Sequence, residues 1–369
     1  MVKKVVATTY PYDRPHDMYQ EYYRNALKAT LATQPGGVLV EVSSAFSTTL
    51  LRKLRAVRHS YRLRHLFDKK ILLKMIDLLA RILSRGPVTC TAPPIGAYRF
   101  QTDQGQNLRV AIDANDFPTL SETALATSDI YFKSNYWPSM NHPAKVLPLP
   151  NMNPLVGQNL EFFRGLRNTP KERDLFVFFR LWGGRDELEG IEHNMALIKA
   201  LSKANCNSYL LAYLVAGDIP SQAKRLDDLG VNWTTTAMPP MELWQNAASA
   251  RLNLVRMGMH ECMPWRMIDI LSMGGVPVMD YTPPTRWPEP LIEGKHYLNL
   301  NFPPGCKNST SGVAEQIDRW LQQDALVPSI GHNTAAYFDQ FLAPQMLGNQ
   351  IIRAVEDWQA AQPIQRKQQ

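Results

Sequence analysis

A short stretch of the chain collects Arg256, His260, Glu261, Arg266 and Asp269 between two apolar runs at 252–255 and 276–279. Side chains of these types bind anions, recognise hydroxyls and move protons. A second group is Arg180 and Arg185, which flank the Gly183-Gly184 turn. Guanidinium groups suit bidentate phosphate binding, although Asp186, Glu187 and Glu189 are equally near as surface ion-pair partners. A third group is Asp113, Asn115 and Asp116, with Lys133, Asn135 and Tyr136 further on. Asp113 and Asp116 are candidates for a general base, as are Asp13 and His16. Each of these acids also fits a turn or a helix cap, and Lys133, Asn135 and Tyr136 fit solvated loop positions as well as a ligand-lining edge.

Hydrophobic patterning sets out the elements that must carry these groups. Residues 252–255 read as a strand, followed by a Gly-containing turn, a short helix and a buried parallel strand at 276–279. Pro264 fits the first helical position, where its missing N–H has no partner to lose. Gly274 falls where a left-handed C-cap wants glycine. Such a helix aims free N–H groups and its positive dipole end at whatever lies above the sheet, which makes an anion site. The competing local readings are a pair between Asp269 and Arg266 along the helix, Glu261 as a helix N-terminal acid, His260 as a structural histidine, and Trp265 as core.

The same alternation runs through the rest of the C-terminal half. A strand at 174–180 delivers Arg180, and helices at 194–204, 221–229 and 242–250 alternate with strands at 209–216 and 231–236, the pattern of a parallel sheet. A loop and strand at 293–300 and one long helix at 335–359 follow. In the N-terminal half, strands at 2–9 and 37–43 enclose a helix at 18–33 whose Tyr19, Tyr22 and Tyr23 suit core packing. A short strand at 88–90, a Pro-rich loop, a strand at 108–113, a helix near 120–127 and a strand at 129–134 come next. That arrangement places Asp113, Asn115 and Asp116 at the carboxyl edge of a strand, where open α/β sheets bind ligands. Prolines 143, 148, 150 and 154 mark the best domain boundary.

Glu261, seven intervening residues, Asp269, a small-residue helix end and the Gly275-Val276-Pro277-Val278 run together resemble the donor-binding motif of GT-B glycosyltransferases of the group 1 kind. The resemblance covers 171–358 and is anchored by 256–278; over 1–140 it is architectural. It implies an α/β fold of two Rossmann-like domains facing a cleft: an acceptor domain at 1–150, a nucleotide-sugar domain at 151–335, and a helix at 336–369 crossing back. It further implies that Glu261 lies beside the donor sugar and that Asp269 bonds the ribose hydroxyls. Backbone amides at Cys262 and Met263 would hold the diphosphate, with Arg256, His260 and Arg266 around the donor. Asp269 departs from the usual glutamate, so a ribose must come closer or bond through water.

The activity implied is transfer of a sugar from a nucleotide-diphosphate donor to a glycan or lipid-linked acceptor, in cell-surface polysaccharide synthesis. Arg180, Arg185 and helix N–H groups would stabilise the departing diphosphate. No cofactor beyond the nucleotide-sugar co-substrate is expected, and no metal, because the sequence lacks an Asp-x-Asp pair. The helix-end acid is similar to that of retaining enzymes; an inverting enzyme would need one of the base candidates above. The alternatives are an isomerase of the same shape acting on the nucleotide sugar, and a non-catalytic basic binding protein.

Charge is unevenly placed. The chain holds 40 basic and 33 acidic residues, yet residues 50–85 contain 11 Lys and Arg against Asp68 and Asp77, leaving 29 basic and 31 acidic elsewhere. Apolar positions 63, 66, 67, 71, 72, 75, 76, 79, 82 and 83 recur at helical steps in that segment. A basic amphipathic helix suits an anionic membrane surface or simply packs one face and solvates the other. Nucleic acid is disfavoured, since only Tyr61 and Phe67 interleave the charges. Cys90, Cys206, Cys262 and Cys306 are scattered without a C-x-x-C pair, which fits a reducing compartment. With no long apolar run for a secretory signal or a membrane span, the expected location is cytoplasmic, peripheral on the inner membrane face.

Overall fold

Parallel strands joined by helices dominate the architecture, and hydrophobic alternation decides which face of each strand is buried. The computed structural model describes residues 1–9, 14–43, 95–181, 188–215, 218–304 and 310–361. The chain divides into two units, one of residues 1–157, 286–288 and 343–369, the other of residues 158–285 and 289–342.

Among the described residues the first unit is built on a six-stranded sheet of order β2-β1-β3-β4-β5-β6. Its strands are β1 (Val2–Thr9), β2 (Val38–Ser43), β3 (Ile95–Thr102), β4 (Asn107–Asp113), β5 (Ile130–Lys133) and β6 (Val146–Pro148). Helix α1 (Arg14–Leu31) joins β1 to β2, α2 (Glu122–Thr127) joins β4 to β5, and the short α3 (Pro154–Gln158) follows β6. Strand β3 runs antiparallel to both β1 and β4, in a sheet otherwise parallel. Patterning missed β3, reading a Pro-rich loop there. Its signal is nonetheless present: Tyr98 and Phe100 point into the core while residues 97 and 99 are exposed. The turn at 103–106, with Gly105 at φ 74°, closes the β3–β4 hairpin.

In the second unit α4 (Leu160–Gly165) leads into β7 (Arg173–Leu181), α5 (Leu188–Leu201), β8 (Ser208–Leu214), α6 (Ile219–Asp227), β9 (Asn232–Thr234) and α7 (Pro240–Ala248). Then come β10 (Ala250–Val255), α8 (Trp265–Ser272), β11 (Pro277–Met279), β12 (Leu298–Asn299), α9 (Thr310–Leu321) and α10 (Leu326–Tyr337). The six strands among the described residues are all parallel, in the order β12-β11-β10-β7-β8-β9. Counted from the first strand of the unit, this is the doubly wound order 3-2-1-4-5-6, read from the other edge. Alternate residues Leu175, Val177, Phe179, Leu252 and Leu254 enter one continuous core against Leu197, Ile198, Ile317 and Ile330.

The long helix expected at 335–359 is instead three pieces: α10, a π-helical turn at Phe338–Leu342, and α11 (Pro344–Ala361). Pro344 has no N–H to donate backwards, so it begins a helix rather than continuing one. Helix α11 packs in the first unit on α1, with Thr30 Oγ1 donating to the Gln345 carbonyl at 2.8 Å and the Val2 amide donating to Glu356 Oε1 at 2.7 Å. The basic segment 50–85, the expected strand at 88–90, Arg185, Asp13 and the side chain of His16 lie outside the described residues.

Where α11 crosses α1, a Cβ on Gly348 would collide with the Ala26 carbonyl oxygen and Thr30 Oγ1. Gly348→Ala is therefore expected to lose about 1–3 kcal/mol in urea unfolding, because overpacking against backbone outweighs the gain in helix propensity. Ala at Gly165, where nothing lies within 4 Å, is the neutral control.

Candidate functional site

The order of strands in the second unit reverses between β7 and β10, and the carboxyl ends of these two neighbours define the crevice where such sheets take ligands. Arg180 stands at the end of β7, exposed, with its guanidinium 5.9 Å from the Tyr213 ring centroid. Beyond β10, Arg256 opens a loop that folds back on itself. The Gly258 amide donates to the Cys262 carbonyl at 2.9 Å, and the Glu261 amide donates to the Gly258 carbonyl at 3.1 Å. A Cβ on Gly258 would sit 2.7 Å from Cys262 Sγ, so this turn closes only around glycine.

His260 and Glu261 both adopt left-handed backbone, at φ 58° and 53°. For residues with a Cβ this costs of order 1–3 kcal/mol each and persists only where the surroundings impose it. The surroundings here are specific. The Glu261 carbonyl accepts from Thr285 Oγ1 at 3.1 Å, and its carboxylate accepts from the Tyr281 hydroxyl at 3.3 Å. Burial and the nearby Asp280 and Glu261 charges raise the Tyr281 phenol well above its usual range, so it stays a donor.

Helix α8 follows this loop. Pro264 is its N-cap, with ψ 153°, so the helix begins at Trp265, one residue later than expected from sequence. Gly274 closes the helix at φ 64°, with Gly275 N donating to the Ile270 carbonyl at 2.9 Å. Asp269, 7% exposed, accepts from Trp244 Nε1 at 3.1 Å. Arg266 is half-buried with its guanidinium 5.1 Å from the Phe178 ring centroid; desolvation lowers its pKa to about 10, opposed by the charge of Asp269. Cys262 and Met263 bury their side chains, and His260 is exposed.

Sequence patterning missed Asp280. It follows β11 directly and is completely buried. Its Oδ2 accepts from Arg256 Nε at 3.1 Å and meets His193 Nε2 at 3.3 Å, while Oδ1 accepts from the Tyr281 amide at 3.2 Å. Arg256 also donates to Asn194 Oδ1, and His193 stacks on Phe302 with centroids 5.1 Å apart. The available signal was its position: an acid immediately after an apolar strand, the same placement that drew attention to Asp113.

In the first unit Asp113 ends β4 and is 1% exposed. Oδ2 accepts from the Tyr131 hydroxyl at 2.5 Å and from Lys133 Nζ at 3.0 Å, and Oδ1 accepts from the Asn115 amide at 2.9 Å. These donors occupy the carboxylate, and Lys133 is itself fully buried. Asp116 is half-buried, and its carbonyl accepts from Asn135 Nδ2 at 2.5 Å. Tyr136 packs its ring 4.6 Å from that of His142, whose pKa desolvation lowers.

Among the described residues no group of three or more His, Cys, Asp or Glu is placed to hold a metal ion, and no helix is long and apolar enough to cross a membrane. No family model matches the chain, and no curated protein matches it. Solved structures do. A glycosyltransferase from Rickettsia africae is 10% identical with a TM-score of 0.48, over 98% of this chain and 99% of that one. HepE of Anabaena, solved with UDP-glucose, is 13% identical with a TM-score of 0.45, over 97% and 100%. MnaA of S. aureus, solved with UDP, is 10% identical with a TM-score of 0.41, over 96% and 97%. The architecture described above stands on strand order and pairing, independently of these likenesses.

Removing Asp280 leaves Arg256 and His193 without their shared acceptor in the interior. Asp280→Ala is expected to destabilise the protein by about 3–5 kcal/mol in urea unfolding. Asp280→Asn, which keeps an acceptor, is expected to lose less. Equal stability of Asp280→Ala and wild type would show that the pairing has no structural weight.

Proposed function

We propose that the second unit binds a nucleotide-diphosphate sugar at the β7–β10 switch point and that the protein transfers the sugar to an acceptor hydroxyl held on the first unit. The observation that carries this reading is the strained Glu261 turn, set at the carboxyl edge of a doubly wound sheet between Arg256 and helix α8. Strain of this kind clusters at ligand-binding sites, and the switch point is where such sheets take nucleotides.

In the proposed reaction the bond between the sugar C1 and the β-phosphate oxygen breaks, and a bond from C1 to the acceptor oxygen forms. The acceptor proton leaves to a base or to the departing phosphate oxygen. Arg180, Arg185 and the first-turn N–H groups of α8 stabilise the charge that develops on the diphosphate. Arg256 is fixed by Asp280 and Asn194, so it presents the rest of its guanidinium in one orientation. Asp269, which also accepts from Trp244, takes the ribose hydroxyls, and Glu261 lies against the sugar. For the acceptor-side base the half-buried Asp116 is favoured over Asp113, which is 1% exposed and accepts from three internal donors. The concentrated charge at 50–85 favours a glycan or lipid-linked acceptor at an anionic membrane face and a peripheral cytoplasmic location.

Thermal stabilisation by UDP, GDP, ADP and CMP tests the donor site. A ligand at about a hundred times its dissociation constant adds roughly 2.7 kcal/mol to the folded state. One diphosphate is expected to shift Tm in wild type, and Asp269→Asn, which preserves an acceptor for Trp244, is expected to bind it roughly 10–100-fold more weakly. No shift with any of the four in folded protein would sink the reading. Arg180→Ala is expected to lower kcat by about 10²–10³ with a smaller change in KM. Sugar nucleotide converted to its epimer without an acceptor would move the assignment to an isomerase.

The acceptor environment has its own test. Binding of the full chain to vesicles containing phosphatidylserine is expected at low salt and to fade as ionic strength rises. Equal binding to neutral phosphatidylcholine vesicles would remove the membrane from the proposal.

A further inference from the structure

The second unit carries a cavity of about 720 Å³ at the opposite edge of its sheet from the switch point. Lys171 and Arg251 mark that edge, one just before β7 and the other near the start of β10. The floor is the turn Gly274, Gly275 and Val276 that closes α8, and one wall is α10, through Val327, Pro328, Gly331, Ala335 and Ala336. A Cβ on Gly331 would come within 2.9 Å of the Gly274 carbonyl oxygen, so α10 and the α8 turn meet at glycine beside the cavity. The volume falls in the range of small-molecule sites.

The rim is charged unequally. Arg167, Lys171, Arg251 and His332 line the cavity against Asp324 and Asp339. Two of the cations already have carboxylates: Arg167 binds Asp339 through two bonds at 2.6 and 3.1 Å, and Arg251 binds Asp174 at 3.1 Å. Lys171 differs. Its amine donates to the Ala248 carbonyl at 2.6 Å, a neutral partner that leaves the ammonium charge uncompensated. Asp339 is further engaged by Arg164, which removes it as a counter-ion for anything else in the cavity.

We propose that this cavity is a second ligand site, distinct from the switch point, for a small molecule with an apolar body and one acidic group. The apolar part fills the space over the glycine floor and against Val276, Val327 and Pro328, and the acid pairs with Lys171. Lys171 forms no ion pair with Asp324, the remaining carboxylate of the rim, so an acidic ligand adds a charge-assisted bond there that a neutral one does not. The proposal does not depend on a sugar nucleotide binding elsewhere in the unit.

The probe is 1-anilinonaphthalene-8-sulfonate, which joins an apolar body to a single acid, titrated by fluorescence on the full chain. Saturable binding to one site is expected, with affinity about tenfold weaker in Lys171→Met, the worth of one charge-assisted bond. Ala336→Trp, a helix-surface change that fills the cavity, is expected to remove the site while Tm stays at the wild-type value. Lys171→Glu, at an exposed position, serves if either variant folds poorly. The neutral analogue N-phenyl-1-naphthylamine is expected to bind at least tenfold more weakly than the sulfonate. Unchanged affinity in Lys171→Met and Ala336→Trp, equal affinity for the neutral analogue, or displacement of the probe by UDP would each overturn the proposal.

Discussion

A buried carboxylate must be paired or it destabilises the fold, and Asp280 is the carboxylate around which the second unit closes. Its partners come from separate places in the sequence. Arg256 follows β10, His193 belongs to α5, and the Phe302 amide, which donates to the Asp280 carbonyl at 2.6 Å, follows β12. The Asp280 side chain thus ties two elements, and its backbone carbonyl a third, at the carboxyl edge of the sheet. No step in backbone geometry there is free to shift alone, because each partner would leave an unpaired charge or donor behind. The left-handed His260–Glu261 turn rests on this frame: Tyr281, the neighbour of Asp280, donates to Glu261. Rigid support of this sort is what allows local strain to persist.

Periodicity made the second unit legible because its strands are short apolar runs between amphipathic helices, and each parallel strand needs its own crossover. The Gly274 C-cap was readable from glycine alone, since the helix end demands φ near +60° and the sequence supplies the one residue for which that is cheap. Pro344 carries an equally clear signal, since it cannot continue the helix before it, and the helix breaks there. Strand β3 fell between these signals. Its alternation is interrupted by Gly96, which lies against the Gln20 side chain, so a strand that packs closely on a helix reads as loop.

The site was legible only in part, for a different reason. Arg256, Glu261 and Asp269 stand out because they are close in sequence. Asp280 and His193 are 87 residues apart, and only folding brings them to 3.3 Å. Spacing likewise could not tell the interior Asp113 from the half-buried Asp116. That distinction depends on Tyr131 and Lys133, which reach back from the neighbouring strand β5.

The two units use the same device with opposite results. Each sets an aspartate at the carboxyl end of a strand and pairs it with a cation from an adjacent segment. In the first unit the cation is Lys133, 0% exposed, so both charges are consumed inside and the pair can do nothing except hold the 113–116 loop. In the second unit the cation is Arg256, with a quarter of its side chain exposed against a carboxylate at 0%. A lysine there would end in one point charge facing Asp280. The guanidinium instead bonds Asp280 through Nε and Asn194 through one terminal nitrogen, and still has further N–H donors to turn outward. The two pairs therefore differ in exposure and donor count: the Lys133 ammonium is enclosed with its partners, whereas Arg256, with five N–H donors, is held by Asp280 and Asn194 and keeps donors to spare on a partly exposed side chain.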